Sequence, residues 1–372
     1  MSFFQTCLKY DDFQSDTVLG RFGKKNVEQV LNRETLKTDD FLVLLSPAAE
    51  YYMEEMAQKA HRLTVQQFGK VIQLYTPMYL SNFCTNHCLY CGFSNKNNIA
   101  RKQLSLEEVE KEAAAIAQTG LKHILILTGG ARKIATPEYI KNCVNIISKY
   151  FKSICIEIYA LEAEEYAELI EAGVDGITIY QETYNTKRYK ELHPKGPKQD
   201  FLYRLDTPDR ACKADIRSVN IGALLGLDDW RREAFLTGLH ARYIQHYFPQ
   251  VELSISLPRI KPHEGNFQPS HVVTDKNFVQ IMLAFRLFLP RAGITISTRE
   301  SAILRDNVIR LGVTKMSAGS STKVGGWTSG NKDTGQFDIS DHRTVKEIKE
   351  QIARLGYQPV FKDWQPIFEE AM

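Results

Sequence analysis

Two rhythms divide the chain. From about residue 10 to residue 70, apolar residues recur three and four positions apart with acids between them. The stretch TDDFLVLLSPAAEYYMEEMAQKAHRLTVQQFG shows this spacing, which predicts helices. Asp39 or Asp40 is placed to cap one helix. Ser46 and Pro47 are placed to open the next, with serine at the cap and proline in the first turn. From residue 71 the pattern changes to short β-branched or apolar runs separated by amphipathic stretches. The runs are VIQLYTPMYL, HILILTGG, SICIEIYA, GITIYQET, SVNIGALLGL, VELSISLPRI, GITISTRE and TKMSAGSS. Most of the intervening helical stretches start after Ser, Thr or Asp and end near Gly, as capping chemistry predicts.

Strands alternating with helices imply right-handed βαβ units and a parallel sheet. Eight near-equal units favour closure into a (β/α)8 TIM-type barrel over an open doubly wound sheet. The organisation expected is a helical extension over residues 1–70, a barrel over 71–325, and a loop, helix and short strand over 326–372 that cap the barrel. The polar loop at the start of that last segment is either mobile or a cover for the barrel mouth.

Composition narrows the function. The chain has 372 residues, 43% hydrophobic and 24% charged, which is ordinary for a globular protein with a sizeable core. A formal net charge of +3 with no long basic run argues against a nucleic-acid partner. No window approaches 18 uninterrupted apolar residues, so no membrane span is expected. The N-terminus MSFFQTCLKYDDF lacks the basic-then-apolar form of a signal peptide. With seven cysteines, an odd number, the expectation is a cytoplasmic protein with reduced thiols.

Three of those cysteines stand together in CTNHCLYCGF, spaced C-x3-C-x2-C as Cys84, Cys88 and Cys91. They follow the first predicted strand, so in a barrel they sit on the first βα loop, at the face where active sites are built. Thiolates favour zinc or iron–sulfur clusters. Three of them can hold three irons of a cubane cluster and leave the fourth open to a small molecule. A zinc site completed by His87 stays open as an alternative, as do unrelated buried thiols. A redox pair of Cys88 and Cys91 would leave Cys84 unexplained.

The triplet, with the aromatic Tyr90 before its last cysteine, resembles the signature of the radical S-adenosylmethionine (SAM) enzymes. Together with PMYLSNFCTNHCLYCGF, YQETY, KQDFLYRLDTPDRA, GALLGL, STRES and FKDW, the chain is similar over essentially its full length to the tyrosine lyases that supply the thiazole of thiamine. The resemblance implies a [4Fe-4S] cluster on Cys84, Cys88 and Cys91, with SAM as cosubstrate. It implies cleavage of the Cα–Cβ bond of L-tyrosine to 2-iminoacetate (dehydroglycine) and p-cresol, with methionine and 5′-deoxyadenosine as co-products. Thiazole synthase and a flavodoxin- or ferredoxin-type electron donor are the implied protein partners.

Other positions take roles under the same resemblance. Tyr90 belongs to the cofactor loop. Gly129 and Gly130 end the second strand, where two glycines let backbone approach a ligand, here the methionyl amino group of SAM. Relatives carry a glutamate in this motif; Gly130 and Ala131 stand there instead, so a side-chain contact is not expected. The alternative is a plain strand-to-loop turn. Alternation along the third strand turns Cys155, Glu157 and Tyr159 inward. Glu157 is then a candidate for the SAM ribose or ammonium, or for an ion pair with an inward arginine. Gln181 and Glu182 are expected at the SAM ribose or methionine. Arg204 is expected at the SAM carboxylate, against a surface salt bridge to Asp200 or Asp206. Arg299 is expected to clamp the substrate carboxylate, against a rim salt bridge to Glu300 or Glu182. Ser317 is its helper, or a serine bonded to its own backbone. Arg259 is assigned to the same cavity. Tyr75 and Tyr79 touch ligand or merely pack.

The tyrosine lyase of hydrogenase maturation shares the first cleavage but has further cysteines in a C-terminal extension. Here the last cysteine is Cys212. A tryptophan lyase shares the barrel and the arginine clamp. From another class, the chain could be a zinc-bound barrel scaffold without catalysis.

Overall fold

All eight predicted runs are strands in a computed structural model of the chain. The structure describes residues 2–328 and 334–362. The strands are β1 (Val71–Ser81), β2 (His123–Thr128), β3 (Ser153–Glu157), β4 (Gly176–Glu182), β5 (Ser218–Ala223), β6 (Glu252–Ser256), β7 (Gly293–Ile296) and β8 (Lys315–Ser317). Each pairs in parallel with the next, and β1 pairs with both β8 and β2, which closes the ring. A ninth strand, β9 (Gln358–Val360), pairs with Val71, Ile72 and Gln73 at the start of β1. It is the short terminal strand expected of the last segment. Residues 329–333 and 363–372 of that segment, with Asp363 and Trp364 of FKDW, lie outside the described residues.

Local chemistry accounts for the helices between the strands. In the helix Leu106–Ala117, Ser105 accepts from the Glu108 N–H while Glu108 accepts from the Ser105 N–H, a reciprocal capping box. Thr274 with Asn277 and Thr344 with Glu347 repeat the device. Thr136 followed by Pro137 opens another helix. At the N-terminal extension the details differ from the expectation. Helix Thr38–Leu44 starts one residue before Asp39, and Asp40 serves as its third residue, accepting from the Lys37 N–H at 2.8 Å. Ser46 precedes the 3-10 helix Pro47–Tyr52, but its hydroxyl donates back to the Val43 carbonyl.

The extension is packed on the barrel's outer helices through Phe41. Its ring stacks on Phe288 at 4.3 Å and lies against Phe285 and Phe235. A Cβ on Gly238 would stand 2.3 Å from the Phe41 ring, so only glycine admits that ring to helix Trp230–Tyr247. Inside the barrel, the lower layer is polar. His123, Cys155, Thr178, Ser218, Asn220, Ser254 and Thr295 line a small space below the C-terminal ends of the strands.

After β8 the chain returns across the mouth. Asp338 N–H donates to the Pro262 carbonyl, and the Ser340 and Asp341 N–H groups both donate to the Thr298 carbonyl. The segment is anchored by a fully buried ion pair between Asp341 and Arg305, and Arg305 also donates to the Ser317 carbonyl. Removing one partner of such a pair strands a buried charge. Asp341→Ala is therefore expected to lower unfolding stability by roughly 3–5 kcal/mol, measured by denaturant titration. A loss below about 1 kcal/mol would show that the pair does not hold the segment down.

Candidate active site

The loop between β1 and helix Leu106–Ala117 carries the three thiols but has little regular structure, so its backbone groups need other partners. Arg101 supplies several. Its guanidinium donates to the carbonyls of Asn82, Phe93, Ser94 and Asn97 at 2.7–3.2 Å. Asn97 donates to the carbonyls of Cys91, Gly92 and Glu264. Asn86 accepts from the Lys198 N–H at 2.8 Å. The result turns Cys84, Cys88 and Cys91 into the wall of one cavity of about 290 Å³ at the C-terminal ends of the strands. A smaller adjoining cavity shares Cys91, Glu157, Glu182, Lys198 and Gln336 with it.

Gly129 and Gly130 press against this loop. A Cβ on Gly129 would lie 2.3 Å from the Phe83 carbonyl oxygen, and one on Gly130 would lie 2.3 Å from the Asn86 amide nitrogen. The Gly130 carbonyl accepts from both the N–H and the hydroxyl of Thr85, at 3.2 and 2.8 Å. The Gly130 N–H in turn points at Cys84 Sγ, 3.4 Å away. Here the glycines bring β2's end onto the cysteine loop, and the Gly130 carbonyl is already engaged within the protein.

The donor set fits an iron–sulfur cluster. Cys84 Sγ receives the Gly130 N–H and the Asn86 side-chain amide, and Cys91 Sγ receives the Gln336 side-chain amide at 3.7 Å. Such N–H groups stabilise negative sulfur. Burial pushes the Cys88 thiol up to about 12 and raises Cys91, so bound cationic irons would be needed to keep them as thiolates. A zinc site through His87 would need its donors around one ion. Among the described residues no group of three or more His, Cys, Asp or Glu converges in that way, and His87 does not line the cavity.

Strand ends supply the other walls. Glu157, at the end of β3, faces both cavities. It has no ion-pair partner among the described residues, and burial pushes its carboxyl up to about 7 against the pull of Arg299. Glu182, at the end of β4, has φ 72°, an uncommon backbone for a non-glycine residue. It accepts from Lys198 at 2.6 Å and pairs with Arg204 at 3.4 Å. Arg204 also donates to the Tyr180 carbonyl at 2.7 Å and lies partly buried in the cavity wall, away from the surface pairings with Asp200 or Asp206.

Gln181 is not brought to the cavity. The register with β5 slips between Tyr180 and Glu182, Tyr180 and Glu182 both line the smaller cavity, and the intervening Gln181 lines neither. Tyr90 is buried and donates to His193 Nε2 at 2.6 Å. The other ring nitrogen, Nδ1, lies 2.7 Å from the Tyr189 carbonyl and must carry the proton.

Arg299 follows β7 and lines the smaller cavity. Its guanidinium rests 3.3 Å from the Phe337 ring centroid. It forms no ion pair among the described residues, because Glu300 is taken by Arg259 and Lys261 and Glu182 by Lys198 and Arg204. Arg259 itself also pairs with Asp275 and lines neither cavity. Ser317 Oγ accepts from the Thr298 N–H at 3.0 Å, so it supports the residue before Arg299 and bonds neither its own backbone nor the cavity. Tyr79 lines the larger cavity, whereas Tyr75 lines the polar layer below. Lys198, Gln336 and Phe337 are wall residues that the sequence reading missed.

The family model of the radical SAM superfamily matches residues 78–237, and that of the biotin and thiamin synthesis associated domain matches residues 256–358. The chain is similar to the 2-iminoacetate synthases of Escherichia coli (strain K12) and Salmonella typhimurium (strain LT2). It is 41% identical to each over 340 residues, spanning 91% of this chain and 90% of the relative. The chain belongs to the 2-iminoacetate synthase family of radical SAM lyases. Two solved structures share this family member's fold: HydG, a maturase of the [FeFe]-hydrogenase, and HydG from Carboxydothermus hydrogenoformans. Both align with TM-score 0.85, at 30% and 31% identity. They cover 96% of this chain, and 79% and 82% of theirs. Among the described residues no helix is long and apolar enough to cross a membrane.

The unpaired Glu157 carries a stability signature in this family member. Its folded pKa lies above the ordinary carboxylate value, so its contribution is full below about 4.5 and is lost as pH rises through about 7. Cluster-free Glu157→Gln should therefore gain on the cluster-free parent between those values, by on the order of 3 kcal/mol above pH 7. Parallel stability–pH curves for the two proteins would contradict this.

Proposed function

We propose that the chain cleaves the Cα–Cβ bond of L-tyrosine, giving 2-iminoacetate and p-cresol with 5′-deoxyadenosine and methionine as co-products. A [4Fe-4S] cluster on Cys84, Cys88 and Cys91 would supply the electron for reductive cleavage of SAM. The observation that carries this reading is the pairing pattern in the cavity. Two cations, Lys198 and Arg204, are committed to Glu182, while Glu157 and Arg299 stand without ionic partners. In the smaller cavity Arg299 is the cation without an ion pair among the described residues, which suits it to a carboxylate, and Glu157 is the carboxyl without one, which suits it to a donor on the cofactor.

Arg299 is suited to hold the substrate carboxylate through two parallel N–H bonds, with Phe337 beneath its plane. That leaves the amine directed toward the space the thiols line. Glu157 can accept from a ribose hydroxyl or an ammonium of SAM, and a cationic donor there would draw its raised pKa back down. Tyr90, Gly129, Gly130, Glu182 and Arg204 shape the cofactor side. The imine would pass to a thiazole synthase, in keeping with the match to the biotin and thiamin synthesis associated domain, and a flavodoxin- or ferredoxin-type protein would be the electron donor.

Reduced, anaerobically reconstituted protein with L-tyrosine and SAM is expected to yield p-cresol, and glyoxylate with ammonia as the imine hydrolyses. Indole-derived products from tryptophan, with no p-cresol from tyrosine, would move the substrate to a tryptophan lyase. Carbon monoxide or cyanide from tyrosine would favour the reaction course of the hydrogenase maturases. Alanine at Cys84, Cys88 or Cys91 should abolish SAM cleavage. Alanine at Cys143 or Cys212, in the outer helices Pro137–Ile147 and Thr207–Lys213, should leave it intact. A zinc content without iron or sulfide would return the scaffold reading.

Arg299→Ala is expected to weaken tyrosine binding by on the order of 2–5 kcal/mol and to spare SAM binding. Equilibrium binding of both ligands decides it. Equal losses for the two would place Arg299 on the cofactor side or in the fold.

A further inference from the structure

The hydrogen bonds to the thiol sulfurs are unequal in origin. Those on Cys84 come from Gly130 and Asn86, groups in the loop itself or at the end of the neighbouring strand. Cys91 receives the Gln336 amide from 245 residues away, beyond the last barrel strand. Gln336 is tightly specified. Its Oε1 accepts the Tyr79 hydroxyl at 2.8 Å, which leaves Nε2 as the end facing Cys91 Sγ at 3.7 Å. Its carbonyl accepts from the Gly92 N–H at 3.1 Å, and its N–H donates to the Thr322 carbonyl. A Cβ on Gly92 would lie 2.6 Å from the Gln336 carbonyl oxygen, so the residue after Cys91 has to be glycine for this contact to form.

A loop reaching over an active site needs none of this to exclude water. The amide is oriented by one partner and aimed at a sulfur by its geometry, while its backbone is locked to the ligand's neighbour. A hydrogen bond to a thiolate draws charge from the sulfur and favours the more negative, reduced cluster, which raises the potential. We propose that Gln336 is a positioning residue for the cluster, whose side-chain amide, held by Tyr79, sets the reduction potential through Cys91 Sγ. The inference rests on the cluster reading of the three thiols and is independent of tyrosine as substrate.

The test uses reconstituted full-length protein without SAM or amino acid, poised against a reference dye and followed by the visible absorbance and the electron paramagnetic resonance signal of the reduced cluster. Gln336→Leu removes the donor and should shift the oxidised-to-reduced ratio at fixed potential about tenfold toward oxidised, equivalent to about 59 mV for one electron. Gln336→Glu keeps the shape, removes the amide donor and adds an acid. It should shift the ratio in the same direction, more so at high pH. Tyr79→Phe frees the amide to rotate and should give a smaller shift of the same sign. If Gln336→Leu assembles no cluster, Gln336→Glu and Tyr79→Phe carry the measurement. A potential unchanged within about twofold in the ratio, or raised, in the donor-free variants overturns the proposal. A wild-type protein showing no cluster signal would instead overturn the cluster reading on which it stands.

Discussion

The site depends on one guanidinium that never faces it. Arg101 gathers the carbonyls of Asn82, Phe93, Ser94 and Asn97 onto one planar group, and so folds a long irregular loop back on itself. Ligand loops face a standing difficulty. Their thiols must converge, yet the backbone between them cannot form a helix or strand that would satisfy its own polar groups. Arginine answers this with five N–H groups in a fixed fork. A lysine could reach the same place but would offer a point charge with no such geometry. The asparagines extend the principle, Asn97 tying Cys91 and Gly92 to Glu264 and Asn86 tying the loop to Lys198. Convergence of the thiols is thus a product of side-chain-to-backbone bonds, with the barrel supplying only the platform.

On that platform the charges are sorted by pairing. Glu182 takes two cations in a low-dielectric wall, where leaving it alone would be costly. Its left-handed backbone is held by the turn that follows. Buried Glu233 accepts from the Thr183 hydroxyl at 2.8 Å and from the Tyr184 N–H at 2.9 Å. The strain at Glu182 and the burial of Glu233 therefore belong to one arrangement, which delivers a carboxylate to Lys198 and Arg204. Glu157 and Arg299 are left without ion pairs among the described residues.

Much of this was legible in the sequence. Short β-branched or apolar runs with helical stretches between them marked every barrel strand, and the cysteine spacing marked the ligand loop. The face of Glu157 followed from alternation along β3. Where the reading failed, the reason is local geometry that a pattern does not carry. Gln181 and Glu182 were both expected at the ligand, but adjacent residues of a strand point opposite ways, and Glu182 shares the cavity side with Tyr180 while Gln181 does not. Arg259 reads like Arg299, an arginine just past a strand, yet Glu300 and Asp275 capture it. Lys198, Gln336 and Phe337 lie in irregular segments, where neither periodicity nor spacing marks which side chain turns inward.

The return segment explains why the mouth is built from sequence so far apart. Thr298, the residue before Arg299, is bonded at both of its backbone groups. Its N–H donates to Ser317, and its carbonyl accepts from Ser340 and Asp341. The backbone at Arg299 is therefore fixed by β8 on one side and by the return segment on the other. The same segment places Phe337 under the guanidinium and Gln336 beside Cys91, two neighbours in sequence touching the two ends of the site. A substrate carboxylate held by Arg299 above Phe337 would bear on the residue next to the one bonded to Cys91. The buried Arg305–Asp341 pair lies at the foot of this connection, so the groups that hold the segment down are also those that set the distance between the amino acid clamp and the thiol ligands.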